Sequence, residues 1–355
     1  DRLRSRGLGD VYKRQIMDRA LAYTHVIYIG LFATMFYNAL ASILRAFGNS
    51  KTPLQAMIIA SICNVGLDVL FVMGLEWGII GAGVATVIAQ ILAGCFCLYH
   101  VLKLKEYMPT SICKDVTYYK NQFRLGIPMA LQNVLISIGG MVLTSAVNRY
   151  GTYFLAGFTA MNKLYGVLEI SAVSYGYAMV TYTGQNYGAH RYDRIKSGVK
   201  KVVLLSLATS ILISIILWIF GPFFLSCFIS KTSEGANEAM TYGLNFLRCL
   251  TVFLPILYML HAYRSTIQGL SNAFIPMVSG LFELLMRISG ALILPIYFGK
   301  AGLYPVEVLA WIGAVIILVP SYYYMERNFQ KVSEKMLTNC FIQNKIRSYI
   351  KQRCL

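Results

Sequence analysis

The chain has 355 residues, 57% of them hydrophobic and 13% charged, with a mean hydropathy of +0.58 and a formal net charge of +17. Soluble domains carry about 25% charged residues, so the composition excludes an ordinary water-soluble globule and describes an integral membrane protein. The apolar runs have the length of helices rather than barrel strands. The positive charge lies mostly in short loops and the tail, which is the pattern of cytoplasmic loops and not of a nucleic-acid binder.

Residues 1–15, DRLRSRGLGDVYKRQ, are polar and basic and lack an apolar h-region, so they are no signal peptide. They read as a non-native leader that packs against nothing. Nine spans follow, at 18–46, 53–74, 78–102, 125–148, 153–183, 198–225, 240–268, 276–298 and 303–325. Basic residues cluster after spans one (Arg45, Lys51), three (Lys103, Lys105, Lys114, Lys120, Arg124), five (Arg191, Arg194, Lys196, Lys200, Lys201) and nine (Arg327, Lys331, Lys335, Lys345, Arg347). The positive-inside rule makes that side cytoplasmic. Span one then starts outside, and Arg2, Arg4, Arg6, Lys13 and Arg14 with it. This misplaced basic start and the odd number of spans predict a missing N-terminal portion. The eight cysteines show no CxxC spacing; Cys63, Cys95, Cys97, Cys227 and Cys249 read as small packing residues, and no metal site is expected.

The chain repeats itself. Ile43 to Pro53, ILRAFGNSKTP, aligns with Thr266 to Pro276, TIQGLSNAFIP, so that Asn49 meets Asn272 and Pro53 meets Pro276. The same offset lays spans one to three on spans seven to nine, as in parallel-repeat transporters, and predicts that the two sets superpose about an axis along the membrane normal.

Span two contains Asn64-Val65-Gly66-Leu67-Asp68. A carboxylate at a helix centre costs about 2.5–3.5 kcal/mol on insertion scales. Asn64 is four residues earlier and shares its helix face. At ~1.5 Å per residue, Asp68 lies ~9 Å in from Gly74, and Thr86 of the returning span lies ~12 Å in from Gly78. A carboxylate, an amide and a hydroxyl at similar depth suit a proton or a hard cation such as Na⁺; the alternative is a polar knot that joins two helices.

Gly184-Gln185-Asn186-Tyr187-Gly188-Ala189 follows span five with Asp193-Arg194 beyond it, Arg124-Leu125-Gly126-Ile127-Pro128 opens span four, and Leu44 to Pro53 joins spans one and two. Together, from about Asp18 to Glu326, these resemble the multidrug and toxic compound extrusion (MATE) family. The resemblance implies an all-α membrane protein of two six-helix lobes, with the nine spans here as helices four to twelve. It implies a leader at 1–15, the rest of the N-lobe at 16–110, the C-lobe at 111–330 and a basic cytoplasmic tail at 331–355. It also implies export of organic, cationic or amphipathic compounds in exchange for H⁺ or Na⁺. The NorM-like branch uses second-lobe acids at positions that fall here near Ile136, beside Gln132 and Asn133, and near Leu257; neither is acidic. The DinF-like branch uses an Asn and an Asp four apart on helix five with a Thr on helix six, which Asn64, Asp68 and Thr86 match, together with a helix-one Asp that has no counterpart here.

Lys163, ~16 Å into span five, lines the central cavity or pairs across helices. Tyr175, Tyr177 and Tyr182 offer cation–π contacts or interfacial anchoring. His261 and Arg264 face the cavity or its cytoplasmic mouth, while Glu283 and Arg287, four apart, read as a self-neutralised pair. The substrate-cavity candidates are thus Lys163, Tyr175, His261, Asn133 and Gln132. The glycines of GQNYGA are expected to make a tight turn. A membrane enzyme would need paired acids or a His/Asp/Glu cluster at one depth, and no such grouping is evident. The expectation is a monomeric, multi-pass plasma-membrane antiporter with a cytoplasmic C-terminus. It takes a small-molecule substrate and a coupling ion, and neither cofactor nor nucleic acid. A lipid-linked oligosaccharide flippase of the same superfamily, with a cationic cavity, and an inactive fragment are the alternatives.

Overall fold

The computed structural model describes residues 2–104, 116–229 and 235–328, with side chains except those of residues 2–20 and Tyr118. Among these residues every regular element is a helix. They are α1 (Arg2–Ala46), α2 (Lys51–Asp68), α3 (Gly78–Leu102), α4 (Val116–Asn148), α5 (Thr152–Gly188), α6 (Tyr192–Ser226), α7 (Ala236–Val252), α8 (Leu254–Gly269), α9 (Phe274–Phe298) and α10 (Val306–Asn328). Two compact units divide the chain, Asp1–Lys114 and Asp115–Leu355.

In the first unit α3 packs along α1 through small residues. A Cβ at Gly83 would lie 3.1 Å from Val26 and 3.4 Å from Tyr23, and Gly94 faces the ring of Phe36. Without a hydrophobic drive between helices in lipid, such close backbone approach is what holds them. The α2 face against α3 is the row Thr52, Ala56, Ala60, and its next two members at the same four-residue step are Asn64 and Asp68. The backbone of α1 begins at Arg2, so residues 2–15 continue the helix expected to start near 18; how their side chains pack lies outside the described residues. The expected tail at 331–355 lies outside them too.

The second unit is built around α5, against which α6, α7 and α8 pack. Phe154, Phe158 and Phe246 interlock at ring distances of 5.2–5.3 Å, and Tyr304 meets Phe246 edge-on at 4.6 Å. The seventh expected span is two helices: Phe253 separates α7 from α8, Pro255 opens α8, and the axes bend by 53°. Among the described residues, seven helices are apolar and long enough to cross a membrane, or eight with the bent pair as one. The fifth expected span, α5, is 37 residues long but too polar to count on composition. Pro128 was expected near the start of a span and instead sits within α4, which begins at Val116.

The internal repeat is visible in the backbone. After α1, Asn49 N–H bonds Leu44 O and Gly48 N–H bonds Arg45 O; after α8, Asn272 N–H bonds Ile267 O and Ser271 N–H bonds Gln268 O. These are two copies of one helix-ending motif with a left-handed residue at its centre, Gly48 (φ 81°) and Ser271 (φ 60°). In each copy the Asn carboxamide oxygen then accepts from the N–H three residues on, Thr52 and Ile275, at 3.1 Å, and so caps the following helix.

Candidate functional site

Asp68 closes α2. Beyond it Val69–Gly74 runs as a π-helical turn, with Leu75 N–H bonded to Leu70 O at 2.8 Å. Such turns re-aim side chains and concentrate at functional sites. The turn is pressed onto α3 at Gly81, where an added Cβ would stand 3.0 Å from Phe71 Cβ and 3.2 Å from its carbonyl carbon. Thr86 lies five residues further along α3. Its hydroxyl donates to Ala82 O at 3.0 Å, which leaves its lone pairs available.

Asp68 Oδ1 and Asn64 Nδ2 are buried without a hydrogen-bond partner, and so is Gln90 Oε1, one turn after Thr86 on α3. Buried polar atoms are almost always paired, and an unpaired one calls for an explanation. Exchanging the Asn64 amide O and N, an assignment that rests on the hydrogen-bond network, adds another acceptor. Asn64 and Asp68 on α2, and Thr86 and Gln90 on α3, are thus two pairs of polar side chains four residues apart on packed helices, with one formal negative charge; groups of this kind suit a proton or a hard cation. Gln90 was missed in the sequence, although its four-residue spacing from Thr86 was there to find.

The cavity candidates of the second unit separate. Lys163 is exposed in a cleft of about 330 Å³ with Thr152, Thr159 and Phe228, and Asn133 is exposed on α4. Gln132, by contrast, is buried: it packs on Gly280, accepts from Gln268 Nε2 at 3.3 Å and lies in a helix interface rather than on a cavity wall. Tyr175 turns to α6 and bonds Thr209 Oγ1 at 2.8 Å. His261 faces Glu169 of α5, its Nε2 3.9 Å from Oε1.

Arg264 is buried against Glu283, and Arg287 gives Nε and Nη2 to the two oxygens of Glu307 at 3.0 and 2.5 Å. The expected Glu283–Arg287 pair is the looser contact at 3.6 Å. Among the described residues these side chains make an ion-pair network rather than a His/Asp/Glu ligand cluster. Its members come from α5, α8, α9 and α10, so no local spacing announced it.

The fold and its intramembrane polar groups define an all-helical, multi-span membrane protein. The family model for MatE matches residues 11–70 and 128–293. The chain belongs to that family, whose members are transporters rather than enzymes. It is 30% identical over 240 residues to the probable multidrug resistance protein YpnP of Bacillus subtilis, covering 67% of this chain and 53% of that protein. To the probable multidrug resistance protein NorM of Thermotoga maritima it is 22% identical over 312 residues, or 86% and 65% of the two chains. A MATE crystallised with MaL6 superposes with a TM-score of 0.81 at 22% identity, over 88% of this chain and 71% of that one. An outward-facing MATE family transporter superposes equally well, over 88% and 70%. The chain spans about half the length of the first two curated relatives it matches.

Proposed function

We propose that the whole protein is a secondary active efflux transporter, exchanging H⁺ or Na⁺ for organic cationic or amphipathic compounds, with Asp68, Asn64, Thr86 and Gln90 as the coupling site. The observation that carries this reading is the group of unpartnered buried atoms around Asp68. A carboxylate at that depth is stabilised by the ion it binds, and an ion that binds one lobe conformation better than another shifts the equilibrium between them. Names of relatives as multidrug resistance and export proteins support the substrate class. Lys163 and Asn133, exposed on α5 and α4, are the substrate-facing residues of this reading. In this reading the protein is a multi-pass monomer of the plasma membrane, and the basic loops support a cytoplasmic C-terminus.

The test is efflux of a fluorescent organic cation from vesicles carrying the whole protein under an imposed pH or Na⁺ gradient. Efflux should stop when nigericin or monensin collapses the coupling gradient. Efflux that survives collapse of both gradients contradicts the proposal.

A further inference from the structure

The ionised side chains of the second unit form a network that the Asp68 site does not use. Arg264 of α8 pairs with Glu283 of α9, and Arg287 of α9 pairs with Glu307 of α10. Two guanidinium groups and two carboxylates, all largely buried, sum to zero. Glu169 is left over. It lies near the middle of α5, ~26 Å from Thr152, and its ion-pair partner is His261, 3.9 Å away. The ionisable groups around Glu169 are Tyr165 one turn before it, His261 and Arg264 from α8, Glu283 and Arg287 from α9, and Glu307 from α10. Tyr165 is stacked on Trp311. Elsewhere around α5, Arg248 of α7 sits over Trp218 of α6. The basic residues of α6 fall in its first three turns, and Lys120, Arg124 and Arg149 lie toward the ends of α4.

We propose that Glu169 and His261 form a proton-binding site of the second unit, separate from Asp68, at which one proton is held on the carboxylate beside the imidazole. With that proton the network is neutral; without it one negative charge stands at mid-helix, where an uncompensated charge is costly. Glu169, 40% exposed against 14% for His261, is the more open end of the pair, and the proposed proton enters and leaves there. One carboxylate and an imidazole nitrogen offer Na⁺ few of the oxygen ligands it takes, so the ligand is the proton itself. This inference does not depend on Asp68 being the coupling site.

Infrared titration of the whole chain in lipid films tests it through the carbonyl stretch of a protonated carboxyl. A band that grows on acidification and shifts in D₂O is expected in the wild type and in Asp68→Asn. It should vanish in Glu169→Gln and return at a new position in Glu169→Asp. His261→Gln should move its midpoint by at least about one pH unit, a tenfold change in proton affinity. Na⁺ should leave it unmoved. A band unchanged in a folded Glu169→Gln, or lost in Asp68→Asn, overturns the proposal. Should Glu169→Gln not fold, a midpoint unmoved by His261→Gln and a band unmoved by Glu169→Asp do the same.

Discussion

Two buried acids meet opposite treatment in this chain. Glu283 is closed in by Arg264 and Arg287, whereas Asp68 Oδ1 accepts no hydrogen bond. Removing one partner from a buried ion pair strands the other, at a cost of about 3–5 kcal/mol. Arg264→Met should therefore lower thermal stability in detergent sharply, and the double variant Arg264→Met/Glu283→Leu should recover much of the loss. Equal melting temperatures for wild type and Arg264→Met would show that Arg264 carries no structural weight. The contrast also explains what could be read from sequence. Asn64 and Asp68 are four apart on one helix, so their shared face follows from helical geometry alone. Arg264 and Glu283 meet from two helices, and that pairing depends on packing that local spacing does not encode. Local spacing favoured Glu283 with Arg287, yet Arg287 reaches across to Glu307.

Glycines in the helices serve close approach more than turning. The GQNYGA segment was expected to turn on its glycines, but α5 continues through Gly188 and the left-handed conformation falls on His190 (φ 55°). Arg191 N–H then bonds Asn186 O and His190 N–H bonds Tyr187 O, the same helix-ending motif as after α1 and α8. The crowded glycine of this region is Gly269 on α8, where a Cβ would stand 2.7 Å from Thr183 Cβ and 2.9 Å from Val180 O, while Gly188 has nothing within 4 Å. Gly269→Ala should cost about 1–3 kcal/mol through overpacking. Gly188→Ala should be neutral or stabilise by about 0.5–1 kcal/mol, because alanine is the better helix former. Thermal unfolding of the two variants checks this pair, and the reverse ranking would refute the α5–α8 contact. The sequence motif was legible, but its mechanism was not, since a glycine's neighbours across a helix interface are invisible along the chain. The repeat, in contrast, was legible because Asn49 and Asn272 do local work: each caps the helix that follows it.

For the molecule as a whole, hydropathy and charge alternation were enough to read an all-helical membrane protein, and the resemblance of GQNYGA, Arg124–Pro128 and Leu44–Pro53 was enough to read the MATE family. Hydropathy and charge alternation read α5 as a span at 153–183, although Lys163, Glu169 and a run of hydroxyl side chains weaken its apolar signal, and did not show that this helix organises the second unit. Nor did they disclose that one span is two helices bent at Phe253. The central claim joins these scales: a family of transporters, a first unit whose helices α2 and α3 carry Asp68 Oδ1 and Gln90 Oε1 buried without a hydrogen-bond partner, and the proposal that a bound cation neutralises the Asp68 charge. Asp68→Asn keeps the volume and removes the charge. It removes the differential affinity that couples the ion to the change of conformation, and with an intramembrane charge gone, stability should hold or rise. Asn64→Ala, Thr86→Ala and Gln90→Ala each remove a neutral ligand and should weaken coupling less. The deciding measurement is gradient-driven efflux from vesicles, wild-type whole protein against Asp68→Asn at matched insertion. Loss of gradient-dependent efflux in Asp68→Asn, with the protein folded and inserted, is the result expected here. Equal gradient-dependent efflux from both would show that Asp68 only joins two helices and that the coupling site lies elsewhere.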